Sequence, residues 1–318
     1  MKMSLLLSTW LLVTGLIVSA AATQVPLPLQ AANVAQASSP VLLPQGVTNL
    51  RPFFEGVAAV QVQGKWGYIN RQGQWLINPQ FDEILNFADG LAAVRVQGKW
   101  GYINRQGKWV IAPRFVNATS FSEGLAAVLS GDRWGYIDPK GTLVIPASFE
   151  EAFEFSRGLA GVQINGKVGY IDRSGQVLIQ PQFDNASPFS DGLAVIRNGT
   201  QWGYIDKSGK PVILLSAVAV GRFSEGLASV WMGDKWGFIN KSGKIAIPVQ
   251  FDDVLRFTEG LAGVKTAEKW GYIDSTGKLV IPQQFDRISF FSEGLAVAQK
   301  DGRLGFIDRS GTYVIRQP

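Results

Sequence analysis

A short string, Trp66-Gly67-Tyr68-Ile69-Asn70, returns every 34 residues along this chain. It stands again at Trp100, Trp134, Trp202, Trp236 and Trp270, while Val168 and Leu304 lead the two remaining copies. The eight copies follow one another without insertion or deletion. Surface loops ordinarily tolerate changes in length, so an unvarying period means that each connection packs against its neighbour. A second string, Phe-x-Glu/Asp-Gly-Leu-Ala, keeps the same spacing at Phe87, Phe121, Phe223 and Phe291. The chain is an array of units that must stack to bury their apolar faces.

Helical repeats also use this period, so the pattern inside the unit has to decide the class. Leu91-Ala92-Ala93-Val94-Arg95-Val96 is a short β-branched run ending at Gln97-Gly98. Lys99-Trp100-Gly101-Tyr102-Ile103 alternates in the two-residue period of a strand, and Lys108-Trp109-Val110-Ile111 runs on until Pro113. No apolar stripe with helical spacing remains. The turns carry their own chemistry. Gln63-Gly64, Gln97-Gly98, Asn165-Gly166 and Asp301-Gly302 suit type I′ hairpins, and Gly131-Asp132, Gly199-Thr200 and Gly233-Asp234 suit type II′. Ala267-Glu268 lacks glycine and predicts a distorted turn. The second turn is Asn/Asp-x-x-Gly throughout, as in Asn70…Gly73 and Asp308…Gly311, with the leading side chain free to accept backbone amides. A short fourth strand fits around Phe115 to Phe121 and around Phe251-Asp252-Asp253-Val254.

These residues resemble the WG-repeat family of bacterial proteins. Lys269-Trp270-Gly271-Tyr272-Ile273-Asp274, Gly277-Lys278-Leu279-Val280-Ile281-Pro282 and Phe285-Asp286 follow its unit nearly throughout. The resemblance covers about residues 42 to 318 and implies a repeat architecture without implying one reaction or ligand. Leu214-Leu215-Ser216-Ala217-Val218 departs from it, replacing the Pro-x-x-Phe-Asp stretch of the fifth unit.

The expected fold is all-β: tandem antiparallel hairpin or meander repeats stacked into an open β-solenoid, with a closed eight-bladed β-propeller as the alternative. Propeller blades usually run to 40–45 residues, which favours the solenoid. So does a surplus copy of the third strand at Leu42-Leu43-Pro44-Gln45, in register with Val280-Ile281-Pro282-Gln283. Residues 41–318 are thus read as a capping half-repeat over 41–52 followed by eight repeats. Ahead of them, Met1-Lys2, an apolar run from Leu5 to Val18 and Ala20-Ala21-Ala22 give the three-part pattern of a secretory signal over residues 1–22. Ala35-Gln36-Ala37 is a second cleavage site, and the Ala/Gln/Pro-rich residues 23–40 read as a linker. The expected location is periplasmic or extracellular, with no transmembrane anchor after cleavage.

Function is approached by exclusion. The chain has no cysteine and no histidine, which removes thiol nucleophiles, the usual zinc sites and the commonest general base. The basic excess of five is not clustered, so no nucleic-acid footprint is present. Adjacent carboxylates such as Asp252-Asp253 and Glu150-Glu151 point to opposite strand faces, a poor arrangement for acid and base. No metal or cofactor is expected. A side chain recurring once per unit at fixed register packs one unit on the next. This assigns the column Trp66, Trp100, Trp134, Trp202, Trp236 and Trp270 to packing, together with Gly67, Gly101, Gly135, Gly169, Gly203, Gly237, Gly271 and Gly305. Specificity is sought where copies differ: Trp75, Trp109 and Trp231 as exposed aromatics, and Leu215 and Val218 in the apolar run of the fifth unit as partner contacts. The reading that follows is a non-catalytic secreted scaffold for protein–protein interaction, bound to a protein not yet identified. A carbohydrate or cell-wall binding module taking polysaccharide or peptidoglycan is the alternative, and a glycoside hydrolase the remote one.

Overall fold

A computed structural model describes residues 40–318. The secretory signal and all but the last residue of the linker lie outside the described residues. Within them the protein is all-β, and no helix is long and apolar enough to cross a membrane. Blade 2 shows how each unit folds. Its strands are Glu83–Ile84, Ala92–Val96, Lys99–Ile103 and Trp109–Phe115, paired in that order as one antiparallel sheet. Eight such sheets follow in sequence. The short first strand is the fourth strand expected near Phe115 and Phe251, and it is the innermost of each blade.

Three turns build the blade. The first, Asp89-Gly90 and its equivalents, has positive φ at both residues and joins Ala88 to Leu91 by a two-residue hairpin. The second, Gln97-Gly98, is the expected type I′ turn, with φ of 50° and 77°. Ala267-Glu268 takes the same left-handed pair, φ 49° and 67°, and keeps Thr266 opposite Lys269. The turn expected there to distort is regular instead, and its strain is held by the sheet on either side. In the third, Asn70 Oδ1 accepts the amides of Gln72 and Gln74 at 3.0 and 2.9 Å, and Gly73 supplies a φ of 71°.

The core is a series of wedges, each shared by two neighbouring blades. Leu91, Tyr102 and Ile111 of blade 2 pack with Phe121, Val128 and Ile137 of blade 3. The tyrosine of each Trp-Gly-Tyr-Ile strand sits deepest. Tyr102 is fully buried and donates its hydroxyl to Thr119 O of the next blade at 2.9 Å, as Tyr136 does to Phe153 O at 2.8 Å. The tryptophans lie further out. Trp66 and Trp100 are buried, whereas Trp134, Trp202, Trp236 and Trp270 are half-buried. The glycine column that follows the tryptophans has a steric cause. A Cβ on Gly135 would lie 2.7 Å from Ile145 O and 2.8 Å from Ala147 N, so the outer strand can approach only a glycine.

The ring closes. Val41–Leu42 pairs in parallel with the last strand, Tyr313–Arg316, making blade 8 five-stranded, and Leu43 N–H donates to Arg316 O at 2.8 Å. Blade 1 meets blade 8 through a wedge built from Leu43, Phe53 and Ile69 on one side and Leu304, Phe306 and Ile315 on the other. The open solenoid is therefore corrected to the closed eight-bladed propeller. The surplus strand copy, which favoured an open array, is the clasp that fastens it. Nor do residues 41–52 form a separate cap, because Val47–Phe54 is the inner strand of blade 1. Blade length misled as well: the 34-residue unit makes a four-stranded blade by shrinking the inner strand to two residues in most copies.

Candidate functional site

The inner strands converge on an axial channel. Seven of the eight hairpins there end in a carboxylate turn that grips the next blade, and the exception is blade 4, where Arg157 takes that place. Asp89 accepts Gly124 N–H at 2.8 Å, Glu123 accepts Gly158 N–H at 2.9 Å, and Glu293 accepts Gly56 N–H at 3.0 Å across the closure. Arg105 pairs with Glu55, and Arg71 with Glu293. A second ring is made by hydroxyls: Ser122, Ser156 and Ser224 donate to the carbonyls of Phe155, Phe189 and Phe257, and Ser292 reaches Phe53 O at 2.6 Å. The turn carboxylates thus accept backbone amides from blade to blade.

The residue before each buried phenylalanine is the one that changes: Pro52, Asn86, Ser120, Glu154, Pro188, Arg222, Arg256 and Phe290. Two cavities, about 490 and 370 Å³, both include Glu154, Pro188 and Arg222 in their walls and form two lobes of one opening. Ser122, Ser156, Ser190, Ser224 and Thr258 line the smaller lobe. Glu154 reaches into the channel with solvent on one side and protein around it. Loss of bulk water raises its carboxyl above the usual range, against the pull of Arg222 and a backbone amide. Desolvation, then repulsion from Arg222, lowers the Arg256 guanidinium, which lies 4.5 Å over the Phe290 ring. Blades 6 to 8 therefore give the channel a basic and aromatic arc, and Glu154 on blade 4 is the one carboxylate at this position of the ring.

The sequence-predicted contacts fall on the outside of the ring. Trp109 is 43% exposed on the outer strand of blade 2, edge-on to Phe81 at 6.2 Å. Trp75, its counterpart in blade 1, is half-buried against the closure wedge. Trp231 stacks on Trp236 at 5.7 Å, on the neighbouring strand of the same blade. Leu215 and Val218 do come together. With Ala217 and Met232 they line a cleft of about 550 Å³ at the rim between blades 5 and 6, where Val218 N–H also reaches Trp231 O at 3.0 Å. The channel residues Glu154, Arg222, Arg256 and Phe290 were not singled out from sequence. Their signal was present, as a position of changing chemistry beside a fixed phenylalanine.

Four-stranded blades ringed around an axial channel, with the last blade clasped by the first strand, define a β-propeller. The chain belongs to the WG containing repeat family, whose match runs in eight consecutive units from residue 48 to residue 303. Among curated proteins none matches in sequence. Of solved structures, the chain is similar to a eukaryotic initiation factor, with 10% identity over 85% of this chain and 87% of that one, TM-score 0.58. It is also similar to the dihydro-heme d1 dehydrogenase NirN, with 14% identity over 87% and 77% of the two chains, TM-score 0.57. At such identities the likeness is one of fold.

Proposed function

We propose that this propeller is a non-catalytic repeat scaffold that mediates protein–protein interaction in the cell envelope or outside the cell. The observation that carries the reading is the rim between blades 5 and 6. There the repetition breaks, Pro-x-x-Phe-Asp gives way to Leu-Leu-Ser-Ala-Val, and Leu214 and Val218 are each 55% exposed beside a cleft where Leu215, Ala217 and Met232 meet Thr200, Gln201 and Ser216. The envelope location rests on the secretory pattern of residues 1–22. Against catalysis stands the use of the turn carboxylates as amide acceptors, which leaves one carboxylate in the axial ring where glycoside hydrolysis needs two.

The test is affinity capture from an envelope fraction with the full chain and with Val218→Asp, a change at an exposed site. A specific protein held by the first and lost from the second supports the scaffold. Recovery of the same proteins by both, or of none by either, overturns it. The exposure of Trp109 favours a second reading, a wall-polysaccharide module. That reading requires retention on a peptidoglycan resin and its loss in Trp109→Ala.

A further inference from the structure

The outer strand of every blade has one edge with no partner among that blade's own four strands, and proteins protect such edges with proline or by covering them. Six blades use proline. Pro79, Pro113, Pro146, Pro181, Pro248 and Pro282 each fall one or two residues behind the buried isoleucine of the outer strand. In these six, pairing with the neighbouring strand also shifts between the Trp or Val and Tyr or Phe positions, as between Trp134 and Tyr136.

Two blades have neither feature after that isoleucine, although blade 5 opens its outer strand with Pro211, two residues before Ile213. In blade 8 the outer strand reads Ile315-Arg316-Gln317, and in blade 5 it reads Ile213-Leu214-Leu215. Their registers are the same. Gly305 and Phe306 stand opposite Arg316 and Ile315, and Gly203 and Tyr204 stand opposite Leu214 and Ile213, with no shift between. The edge of blade 8 is occupied. Val41–Leu42 lies on it in parallel, and the outward-facing carbonyl of Arg316 accepts Leu43 N–H. Blade 5 has the same straight edge, with Leu214 in the place of Arg316, and nothing among the described residues covers it.

We propose that the outer strand Pro211–Leu215 of blade 5 accepts an extended apolar strand from a partner protein, added in parallel as a fifth strand. The partner's chemistry follows from the occupied twin, whose added strand is Val-Leu-Leu. It follows also from the edge itself, where Val212 and Leu214 are exposed on one face and the Leu215–Val218 cleft lies alongside. Backbone hydrogen bonds supply the attachment and the apolar side chains the preference. A second copy of this chain is a poor donor, because its own Val41–Leu43 already closes its ring and Leu43 is buried there. The proposal rests on the scaffold reading and specifies how the partner is held.

The probe is a fluorescein-labelled peptide with the sequence of residues 40–46, Pro-Val-Leu-Leu-Pro-Gln-Gly, titrated onto the full chain. Saturable binding is expected, with protection of the Leu214 amide from exchange. Leu214→Pro places proline where Pro146, Pro248 and Pro282 stand in other blades, and should weaken binding by at least about tenfold. Leu214→Lys keeps the backbone donor at an exposed site and covers the case in which Leu214→Pro does not fold. Lysine on an edge opposes strand addition, so the same direction is expected. Binding that fails to saturate, or that both variants retain, overturns the proposal. So does self-association of the wild-type chain abolished by these substitutions, which would make a second copy the occupant. A protein captured equally by wild type and Leu214→Lys overturns strand addition and leaves the scaffold standing. Peptide binding at Leu214 with no protein captured from the envelope does the reverse.

Discussion

Replacing Leu43 by Ala tests the closure of the ring at a single side chain. Leu43 is 3% exposed, within a wedge that joins Leu50, Phe53 and Ile69 of blade 1 to Leu304, Phe306 and Ile315 of blade 8. Truncation removes three carbons and leaves a cavity that two packed sheets cannot easily collapse, a loss of about 2–5 kcal/mol. For a chain of this size that lowers the melting temperature by roughly 5–15 °C. Leu42→Ala, one residue away at a 57% exposed site on the same strand, should change stability by less than about 0.5 kcal/mol. The informative readout is amide exchange. Phe53 and Phe306 touch at 4.7 Å although about 250 residues separate them, so in a closed ring protection must fall on both sides of the wedge. In an open array, where each unit senses only its sequence neighbours, a defect at residue 43 would fray the first blade alone. Unchanged protection over Ala296–Lys300 and Arg303–Ile307 in Leu43→Ala would refute the clasp.

Other expectations follow from single contacts. Gly135→Ala should cost about 1–3 kcal/mol by urea denaturation, because the added methyl meets backbone at Ile145 and Ala147 and not a side chain that can move. Glu154→Gln should raise the melting temperature near neutral pH. The native carboxyl is raised above its unfolded value, so its ionised form opposes folding, and the gain should vanish as pH falls and Glu154 takes up a proton. The protein as a whole should behave in the opposite sense. Asp82, Asp252 and Asp286 are lowered chiefly by hydrogen bonds from Lys65, Lys235 and Lys269, and Asp172, Asp206 and Asp274 by hydroxyls of their own turns. Their contribution is present above the unfolded carboxylate range and is lost as these groups protonate, so melting temperatures followed by circular dichroism should fall below about pH 4.

Nearly everything inside a blade could be read from the chain, because period-two alternation, Gly-containing turns and Asx turns are local signals. The fourth strand was legible for the same reason. Closure was not, since it depends on the angle between successive blades, and no residue type reports an angle summed over eight contacts. The surplus strand at Leu42-Leu43 shows the ambiguity in small compass: an apolar strand copy at one end can cap an open stack or pair with the far end, and only Arg316 and Ile315, at the other end of the sequence, distinguish the two. The channel was hidden by the same cause. Glu154, Arg222 and Arg256 sit on three different blades and face one space only after the ring has formed.

The repeat also explains where difference must be sought. Positions that hold blade to blade, such as the buried tyrosines with their inter-blade hydroxyl bonds and the glycines under the outer strand, have equivalents around the ring and give a partner nothing by which to choose. Preference for one blade over another needs a broken equivalence. Two edges lack the proline guard behind the outer-strand isoleucine; one of them is filled by the chain itself, and the other is at Leu214. Intrinsic geometry cannot distinguish these two edges, because their registers agree. What separates them is that blade 8 meets its strand within the same molecule, where the tether supplies a high effective concentration, and blade 5 must obtain one from outside. An untethered strand has to make up in apolar contact what the tether provides, and Leu214, Ala217 and Val218 stand where other units place proline, phenylalanine and aspartate, with Leu215 beside them.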